Sequence, residues 1–171
     1  PAGKVLHLTL FPEGLYAGLN LLNKTQNESG DQFPGNIADI ITVELRHPAS
    51  YQLEMAFFPV NLSTTGQATV LIPANLSGLY YITILHRNSI ETVSALPVSF
   101  IPDTLNYAFD HPTKIYGGNL KLVGTGQFVI FSGDTDQDDL VDSSDMIMVD
   151  NAVADFASGY LVTDTNGDGL V

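Results

Sequence analysis

The sequence predicts a mainly β protein, with a β-sandwich over residues 1–132 and a small acidic unit over residues 133–171. Two observations lead to this division. Apolar and polar residues alternate along most of the first part, which is the pattern of strands that bury one face. After Gly133 the chain contains ten aspartates and no basic residue. The change in charge therefore marks a boundary between two differently built units.

The strands of the first unit can be placed from their alternation. Leu6, Leu8 and Leu10 alternate with polar neighbours. The other strands are predicted at residues 41–46, 51–57, 67–72, 79–86, 91–100, 105–110 and 127–132. Proline and glycine separate them, and Gly124-Thr125-Gly126 predicts a hairpin turn. This many short strands favour an immunoglobulin-like or transthyretin-like β-sandwich. The polar stretch over residues 19–36 is predicted to be one long loop.

Composition excludes several classes of function. The net charge of −13 argues against nucleic acid and against anionic membrane surfaces, which both attract basic proteins. No apolar run approaches the roughly 20 residues that a membrane-spanning helix needs, so we expect no membrane insertion. The chain has no cysteine, which excludes disulfides and thiolate metal sites.

The acidic unit begins with a twelve-residue pattern that is typical of calcium loops. A calcium ion takes six to eight oxygen ligands, and a tightly curled loop can direct every second side chain toward it. Counted from Asp134, the carboxylates occupy positions 1, 3, 5, 9 and 12, and position 7 would offer a backbone carbonyl. The predicted ligands are Asp134, Asp136, Asp138, the Leu140 backbone carbonyl, Asp142 and Asp145.

Electrostatics supports the choice of a cation. Two carboxylates about 4 Å apart repel each other by about 4 kcal/mol at an effective dielectric constant near 20, so several of them converge poorly without a positive ion. Magnesium is a weaker candidate because it prefers strict octahedral geometry, and zinc would prefer histidine or cysteine. Position 6 is Asp139 where glycine is usual, and aspartate tolerates the left-handed conformation that this position needs.

A second copy of the pattern starts 30 residues after the first. Asp164, Asn166 and Asp168 occupy positions 1, 3 and 5, and Leu170 would offer its backbone carbonyl. The sequence ends at position 8, so we expect either further residues or a neighbouring chain to complete this site, or only partial occupancy.

A helix is predicted between the two loops. Ser143 and Ser144 would cap it, and it would run to about Ser158 before Gly159. Its apolar residues recur at helical spacing, which favours a core-facing stripe over a partner surface. They are Met146, Val149, Val153 and Phe156.

A calcium loop with one following helix, in duplicate, and with aspartate at position 12, resembles the type I dockerin repeat. The resemblance covers residues 133–171, of which the second repeat is truncated. It implies a cohesin-like partner, with Ser143 and Ser144 as contact residues, although these serines more simply start the helix. The whole chain, through residues 86–91, residues 97–100 and the aspartate loops, is also similar to modules of secreted surface proteins of the Bacteroidetes. That similarity implies an extracellular, secreted or cell-surface location.

Two other groups of residues, one polar and one aromatic, could have either a functional or a structural role. The polar run from His86 to Glu91 could form a ligand site, but a hairpin turn with Arg87 paired to Glu91 is favoured. Tyrosines 80, 81, 107 and 116 could stack on sugars, although Tyr80 and Tyr81 are strand neighbours, so one of them should face the core.

The sequence shows no G-x-S-x-G, P-loop or H-E-x-x-H pattern, and we expect no enzyme. The predicted function is a non-enzymatic, extracellular, calcium-binding structural or adhesive module. Calcium would stabilise the loop–helix unit, and the chain could self-associate or serve as a subunit of a surface assembly or filament. Dockerin-type anchoring to a cohesin, or carbohydrate binding, are the alternatives.

Overall fold

The computed structural model describes residues 3–124 and 126–171. These residues form fourteen strands, one α-helix and three single turns of 3-10 helix. The strands are β1 (Lys4–Thr9), β2 (Tyr16–Gly18), β3 (Leu21–Leu22), β4 (Gln26–Asn27), β5 (Gly30–Asp31), β6 (Ile37–Arg46), β7 (Leu53–Ser63), β8 (Gln67–Ile72), β9 (Leu79–His86), β10 (Ser89–Val93), β11 (Val98–Ser99), β12 (Thr104–Ala108), β13 (Lys121–Val123) and β14 (Gln127–Val129). Helix α1 spans Ser143–Ala154, and the 3-10 turns span Glu13–Leu15, Pro112–Lys114 and Tyr116–Gly118.

Two sheets form the β-sandwich, which confirms the predicted fold class. The larger sheet has the order β10-β9-β6-β7, with β11 also paired to β9. The smaller sheet has the order β12-β1-β8, in which β1 pairs with β12 in parallel and with β8 antiparallel. Three two-stranded hairpins, β2-β3, β4-β5 and β13-β14, lie outside these sheets.

The core lies between the inner faces of the two sheets. Leu6 and Leu8 on β1 and Val43 and Leu45 on β6 are completely buried, while His7 between the two leucines is exposed. The period-two burial follows from the alternation of side chains along a strand. Burying each such side chain stabilises the fold by about 1.5–3 kcal/mol, so this alternation is the main determinant of the sandwich.

Several predicted boundaries are wrong. The stretch 19–36 is not one loop, because it contains β3, β4 and β5 as parts of short hairpins. The strand predicted at residues 91–100 is interrupted after Val93, and the strand predicted at residues 127–132 ends at Val129. Val123 pairs with Gln127, so a hairpin joins β13 to β14, but Thr125 of the predicted turn lies outside the described residues.

Helix α1 is shorter than predicted and faces the other way. Its N-cap is Asp142, not Ser143 or Ser144, and it ends at Ala154, with Phe156 beyond it in a left-handed conformation. Asp145 is buried and Met148 lies against Thr135, so the covered face passes through these two residues. The exposed residues are Met146 (64%), Ile147 (59%), Val153 (48%) and Phe156 (91%).

The prediction that the apolar stripe of α1 belongs to the core is therefore wrong, except that Val149 is half-buried. The capping box decides the rotation of the helix, because the Asp145 side chain reaches back to the N-cap backbone and turns its own face inward. Among the described residues, no helix is long and apolar enough to cross a membrane.

Candidate metal centre

Three carboxylates of the first aspartate loop converge. Asp134, Asp136 and Asp138 each place one carboxylate oxygen so that all three oxygens lie within 4.8 Å of one another. Asp134 is buried, whereas Asp136 and Asp138 are exposed at the mouth of the loop. These are positions 1, 3 and 5 of the predicted pattern, so the structure brings together the first half of the predicted ligand set.

The backbone of the loop curls around Asp134. Its carboxylate accepts hydrogen bonds from the backbone N–H groups of Asp138 (3.1 Å) and Asp139 (3.2 Å). The Asp138 carboxylate accepts one from the N–H of Leu140 at 3.0 Å. Gln137 and Asp139 adopt left-handed conformations, with φ of 60° and 71°. Asp139 thus takes the conformation that glycine usually supplies at this position.

Asp142 and Asp145 have different roles from the other three. The Asp142 carboxylate accepts the N–H and the hydroxyl of Ser144, both at 2.7 Å, and so caps α1. The buried Asp145 carboxylate accepts the backbone N–H groups of Thr135 (2.6 Å), Asp136 (3.2 Å) and Asp142 (2.9 Å). Asp145 therefore ties the two ends of the loop together, and neither residue joins the three-carboxylate cluster.

The serines that the dockerin resemblance selects lie at the start of α1. Ser143 is exposed and is the first residue of the helix, and the Ser144 hydroxyl donates to Asp142. Both serines therefore belong to the first turn of the helix, directly after its N-cap Asp142.

The pKa values of these carboxyl groups reflect their surroundings. Burial, together with the nearby charge of Asp145, raises the pKa of Asp134 above its usual value, against the effect of its backbone hydrogen bonds. Burial acts in the same direction on Asp145, but there the backbone hydrogen bonds prevail and hold its pKa below the usual value. A cation beside Asp134 would offset the cost of its buried charge.

The donors fit a hard divalent cation. They are carboxylate oxygens on one short loop, with the Leu140 backbone carbonyl next along the chain. Oxygen-only donors of this kind suit Ca²⁺, and no histidine accompanies them in the loop.

The second loop is left-handed at the same two positions as the first and also curls around its first aspartate. The buried Asp164 carboxylate accepts the N–H groups of Gly167 (2.8 Å) and Gly169 (3.0 Å), and both glycines are left-handed. The Asp168 carboxylate accepts the N–H of Leu170 at 3.0 Å, as Asp138 does with Leu140. The amide of Asn166 donates to Asp168 at 2.9 Å. The sequence repeat is thus also a repeat of local structure.

The turn between β9 and β10 contacts both loops. On the side of the first loop, the Asn88 carbonyl accepts the N–H of Gly133 at 2.8 Å, and the Ser89 carbonyl accepts the Gln137 amide at 3.4 Å. On the side of the second loop, Arg87 and Asn88 both donate to the Asp164 carbonyl, at 2.7 and 2.9 Å. Arg87 also donates to the carbonyl of Leu161 and Asn88 to that of Val162.

A buried carboxylate, Asp39 on β6, holds this turn in place. It accepts hydrogen bonds from His86 Nε2 (3.0 Å), Arg87 Nε (3.1 Å) and the Tyr160 hydroxyl (2.5 Å). Burial alone would raise the pKa of Asp39, but the hydrogen bonds from His86 and Tyr160 and the charge of Arg87 hold it below its usual value. The same burial and the Asp39 charge raise the pKa of Tyr160.

The predicted pairing of Arg87 with Glu91 is wrong. Arg87 pairs with Asp39, and Glu91 instead accepts the Tyr51 hydroxyl at 2.6 Å. The predicted hairpin turn is confirmed, but sequence reasoning missed Asp39 as its partner. The one available signal was an aspartate at a position where the alternation of β6 predicts burial.

Comparison with known proteins gives one match. No protein-family model matches the chain, and no curated protein matches it. Among solved structures, the chain is similar to a chain in the crystal structure of a C-terminal interface mutant of the type II cohesin–X–dockerin complex from Acetivibrio cellulolyticus. The TM-score is 0.49 and the identity 12%, over 99% of this chain and 88% of that chain. At this level the likeness carries no argument about function.

Proposed function

We propose that the first aspartate loop binds Ca²⁺, and that the ion folds the acidic unit and fixes it against the β-sandwich. The observation that carries the proposal is the convergence of the Asp134, Asp136 and Asp138 carboxylates within 4.8 Å. The Leu140 carbonyl completes the proposed donor set, and Asp142 and Asp145 support the loop through their hydrogen bonds to its backbone and to the start of α1. Metal binding then contributes directly to folding free energy.

The ion is proposed to act on the sandwich through the β9–β10 turn. Gly133 and Gln137 of the first loop contact Asn88 and Ser89, so an ordered first loop also supports the turn. Arg87 and Asn88 of the same turn donate to the carbonyl of Asp164 in the second loop. The second loop is proposed as a further Ca²⁺ site, with Asp164, Asn166, Asp168 and the Leu170 carbonyl as its donors.

The role that follows is a non-enzymatic structural or adhesive module outside the cell. Extracellular calcium is about millimolar, which suits sites with dissociation constants near 10⁻⁴–10⁻³ M. If the acidic unit depends on that calcium, it would be ordered outside the cell and disordered inside it. Such a module fits a surface assembly or filament in which copies associate.

The decisive experiment is a calcium titration of Asp136→Ala. Asp136 is exposed and its side chain makes no hydrogen bond within the described residues, so the variant removes the ligand oxygens and little else. For a dissociation constant of about 10⁻⁴ M, 1 mM Ca²⁺ stabilises the native state by about 1.4 kcal/mol. That corresponds to a rise in Tm of about 3–6 °C for a chain of this size.

We expect calorimetric unfolding to show this rise for the wild type, and to show it reduced or lost for Asp136→Ala. The matched control is Asp150→Ala, which removes an equal charge from the exposed face of α1. If both variants keep the full calcium-dependent rise, or if the wild type shows none, the first loop is not the site.

A second candidate function is anchoring to a protein partner of the cohesin class through α1. The exposed apolar residues Met146 and Ile147 at the start of α1 and Phe156 just beyond its end favour it, because exposed apolar surface marks interaction sites. Purified cohesins on a biosensor should bind the chain in Ca²⁺, and Ile147→Glu should abolish binding while Asp150→Asn does not. If the wild type does not bind, this candidate is excluded.

A further inference from the structure

A groove separate from the aspartate cluster lies along the edge of the larger sheet. Its volume is about 600 Å³, within the range of small-molecule sites. One wall comes from Tyr51, in the β6–β7 connection, and from Tyr81 on β9. The other comes from Tyr116 and Asn119, and Asp139 of the first loop also lines the groove. Glu91 of the edge strand β10 is a further lining residue.

The first wall is held rigidly around Tyr51. This residue has a left-handed backbone, with φ of 57°, which is costly for an aromatic residue and is kept only where other contacts impose it. Its hydroxyl donates to Glu91 at 2.6 Å and lies 3.0 Å from the Thr83 hydroxyl. The Arg46 guanidinium lies 4.7 Å from the centre of its ring, and Tyr81 meets the ring edge-to-face at 5.9 Å.

The opposite wall presents an open aromatic ring. Tyr116 is 68% exposed, although it follows Ile115, which is buried and bridges to Ser94. The N–H of Ala95 donates to the Lys114 carbonyl at 2.8 Å, which fixes the segment beside the end of β10. An exposed ring on a fixed backbone is available for stacking without the cost of ordering a flexible loop.

The mixture of groups determines the class of ligand. Aromatic faces favour the C–H face of a sugar ring, and the exposed Asn119 amide and Asp139 carboxylate can bond its hydroxyls. A purely apolar ligand would leave these polar groups without partners. An anionic ligand is disfavoured, because Arg46 already pairs with Glu44 and lies near Glu91, and Asp139 adds a negative charge.

We propose that this groove binds a neutral saccharide. Tyr116 stacks on one sugar ring, the Tyr51–Tyr81 wall contacts the next, and Asn119 and Asp139 bond the hydroxyl groups. Glu91 acts as a positioning residue, because it holds the Tyr51 hydroxyl. The groove shares Asp139 with the first aspartate loop, so the test is made in Ca²⁺, but the three tyrosines that carry the proposal lie outside both loops.

The test uses the full chain in Ca²⁺ and a panel of neutral tri- to hexasaccharides of glucose, mannose, galactose and xylose, with sulfated and uronic oligosaccharides beside them. Calorimetric titration of the strongest binder should show an affinity loss of about tenfold or more for Tyr116→Ala, equivalent to about 1.4 kcal/mol. Tyr116→Phe should keep most of the affinity, because it keeps the ring.

Phe156→Ala is the matched control, since it removes another exposed aromatic ring, which lies outside the groove. The proposal is overturned if no neutral oligosaccharide binds, if the anionic ones bind better, or if Tyr116→Ala binds as tightly as Phe156→Ala. If Tyr116→Ala keeps the calcium-dependent rise in Tm, the variant is folded. A loss of saccharide binding in that variant then tests the groove separately from the calcium site.

Discussion

The buried carboxylate of Asp39 provides the sharpest test of how the acidic unit is held on the sandwich. Asp39→Asn keeps the size of the side chain but removes the charge that faces Arg87. The Arg87 side chain is only 9% exposed, and its Nη2 has no hydrogen-bond partner among the described residues. The variant therefore leaves a buried cation with no opposite charge beside it.

The expected cost follows from this burial. Removing one partner of a buried ion pair costs about 3–5 kcal/mol, because the remaining charge is desolvated and uncompensated. For a chain of 171 residues, each kcal/mol lowers Tm by about 2–4 °C, so Asp39→Asn should lower it by about 6–20 °C. Calorimetry in excess Ca²⁺ measures the shift, and amide hydrogen exchange at residues 160–164 should speed up most.

The matched control is Asp110→Asn, which breaks the exposed pair with Lys114. Surface pairs of this kind contribute at most about 1 kcal/mol, so its Tm should fall by no more than a few degrees. Equal shifts for Asp39→Asn and Asp110→Asn would refute the view that Asp39 anchors the turn and the acidic unit.

Two further results are expected. Because the folded pKa of Asp39 lies below its unfolded value of about 3.9, the stability from its charge is fully present above that value and is lost as the pH falls through the folded pKa. Thermal unfolding measured between about pH 6 and pH 2.5 should therefore show that Tm falls less with decreasing pH for Asp39→Asn than for the wild type. In Gly14→Ala, the new Cβ would lie 1.8 Å from the Thr165 carbonyl oxygen, so hydrogen exchange should speed up over residues 164–169. In Gly35→Ala the new Cβ has nothing within 4 Å, and the strain from the positive φ of 64° stays in its own turn, so exchange over residues 164–169 should be unchanged. Equal effects of the two variants on that segment would show that the second loop does not pack on Gly14.

The features of the fold and of the metal centre that could be predicted are those that depend on residues close together in the sequence. Leu6 and Leu8 are buried and His7 between them is exposed, because side chains of successive strand residues point to opposite faces. The convergence of Asp134, Asp136 and Asp138 could also be predicted from the sequence, since a loop of five residues brings alternate side chains to one side.

The prediction for α1 failed because helical spacing identifies an apolar stripe but not what covers it. Met146, Val153 and Phe156 are exposed, since the Asp145 carboxylate accepts three backbone N–H groups of the preceding loop and turns another face inward. A polar contact at the first turn thus outweighed the apolar pattern of the rest of the helix.

The amino-acid order by itself determined the two strand faces and the curled shape of both aspartate loops, because in each the interacting groups are a few residues apart. Only the tertiary structure decided which groups neutralise the buried charges, since Asp39 is 47 residues from His86 and 121 from Tyr160. Contacts over such separations depend on how the sheets stack and where the chain returns, and no local pattern records either.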